Sequence, residues 1–366
     1  MYPQADVPLA PMTTLGVGGP ARWFCEASTR TDVVEALAWA HERELPVVVL
    51  GGGSNVVIAD AGVAGLVVRL GIRGCAFTAR GSQMILTAGA GEPWDEVVRA
   101  AVERGLAGIE CLSGIPGTAG GTPIQNVGAY GQDVGQVIEA VTVVDRVAGR
   151  VETLSAEACM FGYRSSRFKT RDRDRYIVLD VQLKLSPGRG AVTYPDVTAW
   201  CSRHGIQEPD VHDVRRAVLA IRASKGMVLD PTDRDTASVG SFFTNPVLDA
   251  SAVSRLRERL GVDVPSYPAG PSLMKVPAAW LLEQAGCGRG FGDGPARLSR
   301  KHALAITNTG GACARDIVHL ACVIKRTVQS RCGVSLVPEP VFIGFGADAD
   351  VAYLSGNTEQ HVNTGH

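Results

Sequence analysis

No run of eighteen apolar residues occurs in the 366-residue chain, so the sequence predicts no membrane-spanning helix. An excess of one charge is also missing. The formal net charge is -1, which supplies no global field to recruit nucleic acid or an anionic membrane surface. Cysteine pattern is absent as well: the nine cysteines are odd in number, scattered and never spaced C-x-x-C. That argues against a disulfide framework or a zinc site and for reduced thiols in the cytosol. The opening MYPQADVPLAPMTT has no basic region ahead of an apolar core, so no secretory signal is expected. Neither a P-loop nor a G-x-G-x-x-G fingerprint is found. What remains is an ordinary globular composition, 45% hydrophobic and 20% charged. The length suits roughly two or three domains, each burying its own core.

What is present in abundance is glycine, and it concentrates. Ser113 to Gly131 reads SGIPGTAGGTPIQNVGAYG, six glycines and two prolines with no charged side chain. A disordered linker is rich in charge and polar residues, whereas this stretch carries Ile115, Ile124, Val127 and Tyr130. It predicts an ordered, buried loop whose glycines let backbone approach backbone or ligand. Tight turns packed under a sheet are the alternative reading of the loop taken alone.

Taken in order, Arg22 to Ala27 reads as a strand. Asp32 stands three residues before Glu35 in capping-box spacing, which predicts a helix with Val34, Leu37, Ala38 and His41 on one face. The continuous apolar run to Leu50 predicts a strand buried on both faces of a parallel pair, ending in the glycine loop Gly51 to Asn55. Further strands are expected over Gly65–Leu70, Met84–Ala88 and Tyr176–Leu185, with a hairpin between Val137 and Leu154. Helices are expected over Pro93–Arg104 and Asp210–Ser224. Composition shifts after Gly226, where a domain boundary is placed, and Met227 to Ala237 reads as a surface loop. Beyond it come helices over Ser251–Leu260, Pro277–Ala285 and Ala314–Arg331, and strands over Ala303–Asn308 and Val341–Phe345. Residues 347–366 read as a frayed, flexible tail.

Five motifs occur in one order: Gly51 to Asn55, the Ser113–Gly131 loop, Gly162-Tyr-Arg-Ser165, Gly240-Ser-Phe-Phe243 with Asn245-Pro246, and Pro338-Glu-Pro340. Together they closely resemble the UDP-N-acetylenolpyruvoylglucosamine reductases, flavoenzymes that complete UDP-N-acetylmuramate in bacterial cell-wall synthesis. The resemblance runs from about Leu15 to Phe345. It implies an α+β chain: a vanillyl-alcohol-oxidase/PCMH-type FAD-binding region of two subdomains and an α+β substrate-binding domain. The subdomains would span 1–75, joined by a C-terminal strand near 338–346, and 76–225, with the substrate domain over 226–337. It also implies a cytoplasmic enzyme, expected as a monomer, with non-covalent FAD and with NADPH as co-substrate. NADPH in such enzymes visits the substrate's pocket, in keeping with the missing Rossmann fingerprint.

The resemblance assigns FAD to Gly51, Gly52, Gly53, Ser54 and Asn55. It adds Ser113, Gly114, Pro116, Gly117, Gly120, Gly121, Gln125, Asn126, Gly128, Ala129, Tyr130 and Gly131. It makes Ser241 the proton donor and gives Arg164 and Glu339 the task of stabilising an enol intermediate. An arginine between Tyr163 and a serine is well suited to a two-point grip on a carboxylate. Ser241, following Gly240, otherwise reads as a turn residue. Glu339 stands between two prolines that stiffen its backbone. Tyr194, Lys225, Asn245, Tyr267, Lys275 and His302 match positions that meet the UDP-sugar, two of them lysines suited to a diphosphate. The Lys184–Tyr194 connection resembles the subclass whose tyrosine-bearing loop covers the substrate. An alcohol or sugar oxidase of the same fold is the rival reading. Many such oxidases tether FAD through a histidine or cysteine at the first glycine loop, and neither is present there.

Overall fold

The computed structural model describes residues 2–190 and 192–356. They divide into two compact units: one comprises the chain to Val7, Ala21–Gly53 and Ala64–Val228, the other Pro8–Pro20, Ser54–Val63 and the chain from Leu229. The last stretch of the second unit begins at Leu229, but two segments from the first 63 residues belong to it as well.

In the first unit a four-stranded sheet runs in the order Gln4–Pro8, Pro20–Ala27, Val63–Leu70, Val47–Leu50. Its last pair is parallel, with Val47 opposite Leu66. Val47–Leu50 is not buried on both faces as expected. It ends the sheet, and only Leu50 is fully buried. The helix Arg30–His41 begins one turn before the expected box. Thr29 accepts from the Asp32 amide, while the Asp32 carboxylate accepts from the Thr29 amide at 2.8 Å. Val33, Ala36 and Ala40 are buried and Val34 is exposed, so the predicted face was wrong. The helix carries apolar residues all round, and its periodicity alone selects no face.

A second, antiparallel sheet orders Arg150–Ser155, Ile138–Asp145, Tyr176–Pro187, Gln83–Gly89 and Cys75–Arg80, with Leu106–Ala107 pairing the end of the long strand. Here the hairpin and both central strands fall where expected. The helix Trp94–Val102 buries Trp94, Val97, Val98, Ala101 and Val102 in the core of this unit. Two further helices, Pro195–Arg203 and Val211–Ser224, pack through Val197, Cys201, Val214, Ala217 and Val218.

The second unit is built from small sheets and helices, the longest of the described ones 19 residues. Val341–Ile343 pairs in parallel with Val56–Ile58. Val247–Asp249, Leu273–Lys275 and Tyr267–Gly270 form a three-stranded sheet with Leu273–Lys275 at its centre. The helix Ala314–Cys332 buries Ile317, Leu320, Ala321, Ile324 and Val328, the stripe its sequence announced.

Two expectations fail in this unit. The Asp-rich segment is not simply a surface loop: Asp235 is 5% exposed and accepts from the Arg300 amide at 3.0 Å and from its Nε at 3.1 Å. The tail is helical over Ala349–Ser355. Leu354 is fully buried, and the buried Lys325 ammonium donates to the carbonyls of Tyr353 (2.9 Å) and Leu354 (2.8 Å), capping the helix end with a cation. Residues 357–366, which belonged to the same expectation, lie outside the described residues.

Candidate active site

The two glycine loops meet in the first unit, and their glycines are required by contact. A Cβ on Gly51 would stand 2.8 Å from Thr118 Oγ1, and one on Gly52 only 2.6 Å from Gly117 Cα. Backbone runs against backbone, closer than any side chain permits. The second loop is pinned at intervals. Gly117 accepts from the Trp94 amide at 3.0 Å, the Gly120 amide donates to Ala90 O at 2.9 Å, and the Gly114 amide donates to Asp95 Oδ1 at 2.6 Å. Arg215 holds the same carboxylate at 2.6 and 2.8 Å. Burial opposes the Asp95 charge, but the arginine and amide hydrogen bonds outweigh it and draw the carboxyl below its ordinary value. The loop is half-buried rather than buried throughout. Ser113, Gln125 and Asn126 are enclosed, whereas Gly121 and Gly131 face outward.

These residues fit a dinucleotide cofactor. Neither loop carries a charged side chain, and glycine-rich main chain presents amides rather than side chains to phosphate. The first loop continues past Gly53 into Ser54 and Asn55, which belong to the second unit. Asn55 there accepts from the Val341 amide at 3.0 Å, joining the loop to the C-terminal strand.

Arg164 rises from a tight turn in which Gly162 and Ser165 exchange backbone hydrogen bonds at 3.0 and 3.1 Å. Its own backbone is left-handed, φ 50°. The guanidinium donates to Gly128 O at 2.5 Å and to Asn126 O and Asp133 Oδ1 at 3.4 Å. The Asn126 side chain locks the same region, donating to Gly162 O at 2.8 Å and accepting from the Gly135 amide at 2.9 Å. A Cβ on Gly128 would fall 1.6 Å from Asp133 Oδ1. Asn126, Gly128 and Arg164 thus form one clamp.

Nearby in the same unit, the Tyr130 ring meets Tyr194 edge-on at 5.3 Å, and Lys225 Nζ lies 5.9 Å from the Tyr130 centroid. Burial raises the Tyr130 phenol above its ordinary pKa. Burial disfavours the charged form of Lys225, but the Asp196 hydrogen bond and neighbouring anionic groups prevail, and its pKa is raised. Burial also pushes the Cys111 thiol up to about 12, with Glu110 adding to it, so this buried thiol beside the loop stays protonated at neutral pH.

Ser241 and Glu339 come together in the second unit. The Glu339 amide donates to Phe242 O at 2.8 Å, the Thr244 amide to Val337 O at 3.0 Å, and Phe243 bridges Pro338. Phe242 and Phe243, buried, anchor this short ladder. Lys275 sits directly opposite Tyr267 and Val247 in register. Asn245 Oδ1 accepts from the Ala278 amide at 2.8 Å, so part of this side chain supports a helix start. His302 Nδ1 accepts from the Leu304 amide at 3.3 Å in the turn before Ile306–Asn308.

Sequence reasoning missed Asp133, Asp95 and Asp196. Asp133 carried a usable signal, Asp three residues before Gln136, which forms a capping box. The Asp95–Arg215 and Asp196–Lys225 pairs join distant segments and leave no local trace.

Comparison with known proteins covers both halves of the chain. Residues 21–155 match the FAD binding domain, and residues 230–343 match the C-terminal domain of UDP-N-acetylenolpyruvoylglucosamine reductase. The UDP-N-acetylenolpyruvoylglucosamine reductase of Thermobifida fusca is 46% identical over 350 residues, 93% of this chain and 97% of its own. That of Mycobacterium marinum is 47% identical over 351 residues, 93% and 94%. The crystal structure of the Thermus caldophilus enzyme of that name matches at a TM-score of 0.63 and 27% identity, over 93% of this chain and all of the other. The expected α+β FAD-binding fold is borne out.

Proposed function

Because the chain belongs to the UDP-N-acetylenolpyruvoylglucosamine reductase family and is thereby an FAD-containing oxidoreductase, we propose that it reduces UDP-N-acetylglucosamine enolpyruvate to UDP-N-acetylmuramate with NADPH. The setting is peptidoglycan precursor synthesis, in the cytoplasm, by a monomer. Among the described residues no helix is long and apolar enough to cross a membrane. The oxidase alternative is not favoured, since the C-terminal match is to a reductase domain.

The observation that carries the reading is the joint retention of Arg164, Ser241 and Glu339, with Ser241 and Glu339 on adjoining segments of one ladder. The paired glycine loops would hold FAD, which would supply the hydride chemistry linking NADPH to the enolpyruvyl C3. Charge then develops at C2 and on the attached carboxylate. Arg164 holds that carboxylate, its orientation fixed by Gly128 O. Glu339, on a stiff Pro-Glu-Pro backbone, stabilises the enol. Ser241 Oγ–H gives its proton to C2, which a weak acid suffices to protonate when correctly placed. Lys225, Lys275, Asn245, Tyr194, Tyr267 and His302 hold the UDP-sugar. The subdomain division at 1–75, 76–225 and 226–337 belongs to the same proposal.

Purified protein is expected to be yellow, to release FAD on denaturation, and to oxidise NADPH quickly only with the enolpyruvyl substrate present. NADPH oxidation indifferent to that substrate would sink the assignment.

A further inference from the structure

Lys225 is already engaged before any ligand arrives. Its ammonium lies 2.7 Å from Asp196 Oδ2, and the side chains are 39% and 45% exposed, so a ligand can reach the pair. Asp196 belongs to the first turn of the helix Pro195–Arg203, directly after Tyr194 and Pro195. Lys225 caps the end of the helix Val211–Ser224, where carbonyl dipoles favour a cation, and it also faces the Tyr130 ring. The Tyr130 ring therefore remains beside it if the carboxylate is removed.

We propose that Asp196 is an affinity-determining residue, a carboxylate that occupies Lys225 until the diphosphate of the nucleotide-sugar displaces it. The inference rests on the reading of Lys225 as a diphosphate contact. A diphosphate brings more charge and more acceptor oxygens than one carboxylate, so it wins the exchange. Asp196, once displaced, stays tethered close by on the same helix and repels the incoming anion. Both effects weaken binding, and both vanish when Asp196 loses its charge. The residue thus trades affinity for easier release of product.

The test is equilibrium binding of UDP to the FAD-loaded protein. Asp196→Asn is expected to bind UDP about 2–5-fold tighter at low salt, the range exposed ion pairs support, with the gain lost near ~1 M salt. Asp196→Glu keeps the charge and the wild-type affinity. Lys225→Ala binds more weakly. Asp196→Ser, which keeps a short acceptor at the helix start, must change affinity in the same direction as Asp196→Asn. Equal or weaker UDP binding by the Asn and Ser variants, with FAD absorbance retained, overturns the exchange while leaving the functional reading intact. Wild-type affinity in Lys225→Ala would instead remove Lys225 from the diphosphate, and the underlying assignment of that residue with it.

Discussion

Around Arg164, three non-glycine residues of the first unit, Asn126, Tyr130 and Arg164 itself, adopt left-handed backbone with φ of 45°, 49° and 50°. Around Ser241 and Glu339 in the second unit, Gly240 alone is left-handed across residues 238–245 and 337–341. Left-handed residues with side chains cost on the order of 1–2 kcal/mol each. The first unit thus holds its proposed functional group, Arg164, by contorted main chain locked through Asn126 and Gly128. The second holds its groups by strand pairing, backbone of low cost. The difference teaches where each tolerates change: in the first, adding one carbon disturbs the framework, while in the second, removing a functional atom leaves the framework standing.

Ser241→Ala should show this most strongly. Substrate-dependent turnover is expected to fall roughly a hundred- to ten-thousand-fold, with FAD content, melting temperature and flavin reduction by NADPH unchanged. Stopped-flow measurement of the two half-reactions checks it, and full-rate reoxidation by the enolpyruvyl substrate would remove Ser241 as donor. Gly128→Ala should do the converse. The 1.6 Å approach to Asp133 forces movement of the clamp, destabilising the protein by about 1–3 kcal/mol in denaturant titration. Asp133→Ala in the same chain should recover part of that loss. If Ser241→Ala were the more destabilising of the two, the contrast between the units would be broken.

Lys325→Met should cost about 1–2 kcal/mol by stranding two carbonyls. It should raise hydrogen exchange over 349–355 and leave turnover alone, since this contact serves docking. The smallest effect at neutral pH concerns acid. Arg175 hydrogen bonds, at 2.6 and 3.1 Å, hold the Asp145 carboxyl well below its ordinary 3.8, assisted by the amides of Val147 and Ala148. A depressed carboxyl contributes stability that is present above pH 3.8 and is lost as pH falls toward the folded-state value. Exchange protection of the hairpin 138–155 should therefore decline on acidification through that range, and Asp145→Asn should flatten the decline.

Much of the fold was legible because local chemistry decided it. The stripe of Ile317, Leu320, Ala321, Ile324 and Val328, the helix ending at Ser224 and the antiparallel hairpin all depend on neighbours in sequence. The burial of Val47–Leu50 was not legible, because an end strand and a central strand share one apolar pattern. Nor was the helix Ala349–Ser355, too short to stand alone and stabilised by a lysine a turn-rich distance away. For the proposed site, residue types and their order stand in the sequence itself. The partners that aim them, Asp133 for Arg164 and Asp196 for Lys225, arise only when separate segments fold together.

The second unit is assembled from three separate stretches, two of them early and one late, and this bears on how the chain is made. Val56–Ile58 emerges from the ribosome long before its partner Val341–Ile343 exists. At about 5–20 residues per second the delay is on the order of tens of seconds. Through that interval the early strand edge has no native mate, a state open to wrong pairing. The first unit is free to fold meanwhile, whereas the second acquires its core only as synthesis ends. A chain made only as far as Val228 therefore contains the whole of the first unit together with two segments whose partners have yet to be synthesised.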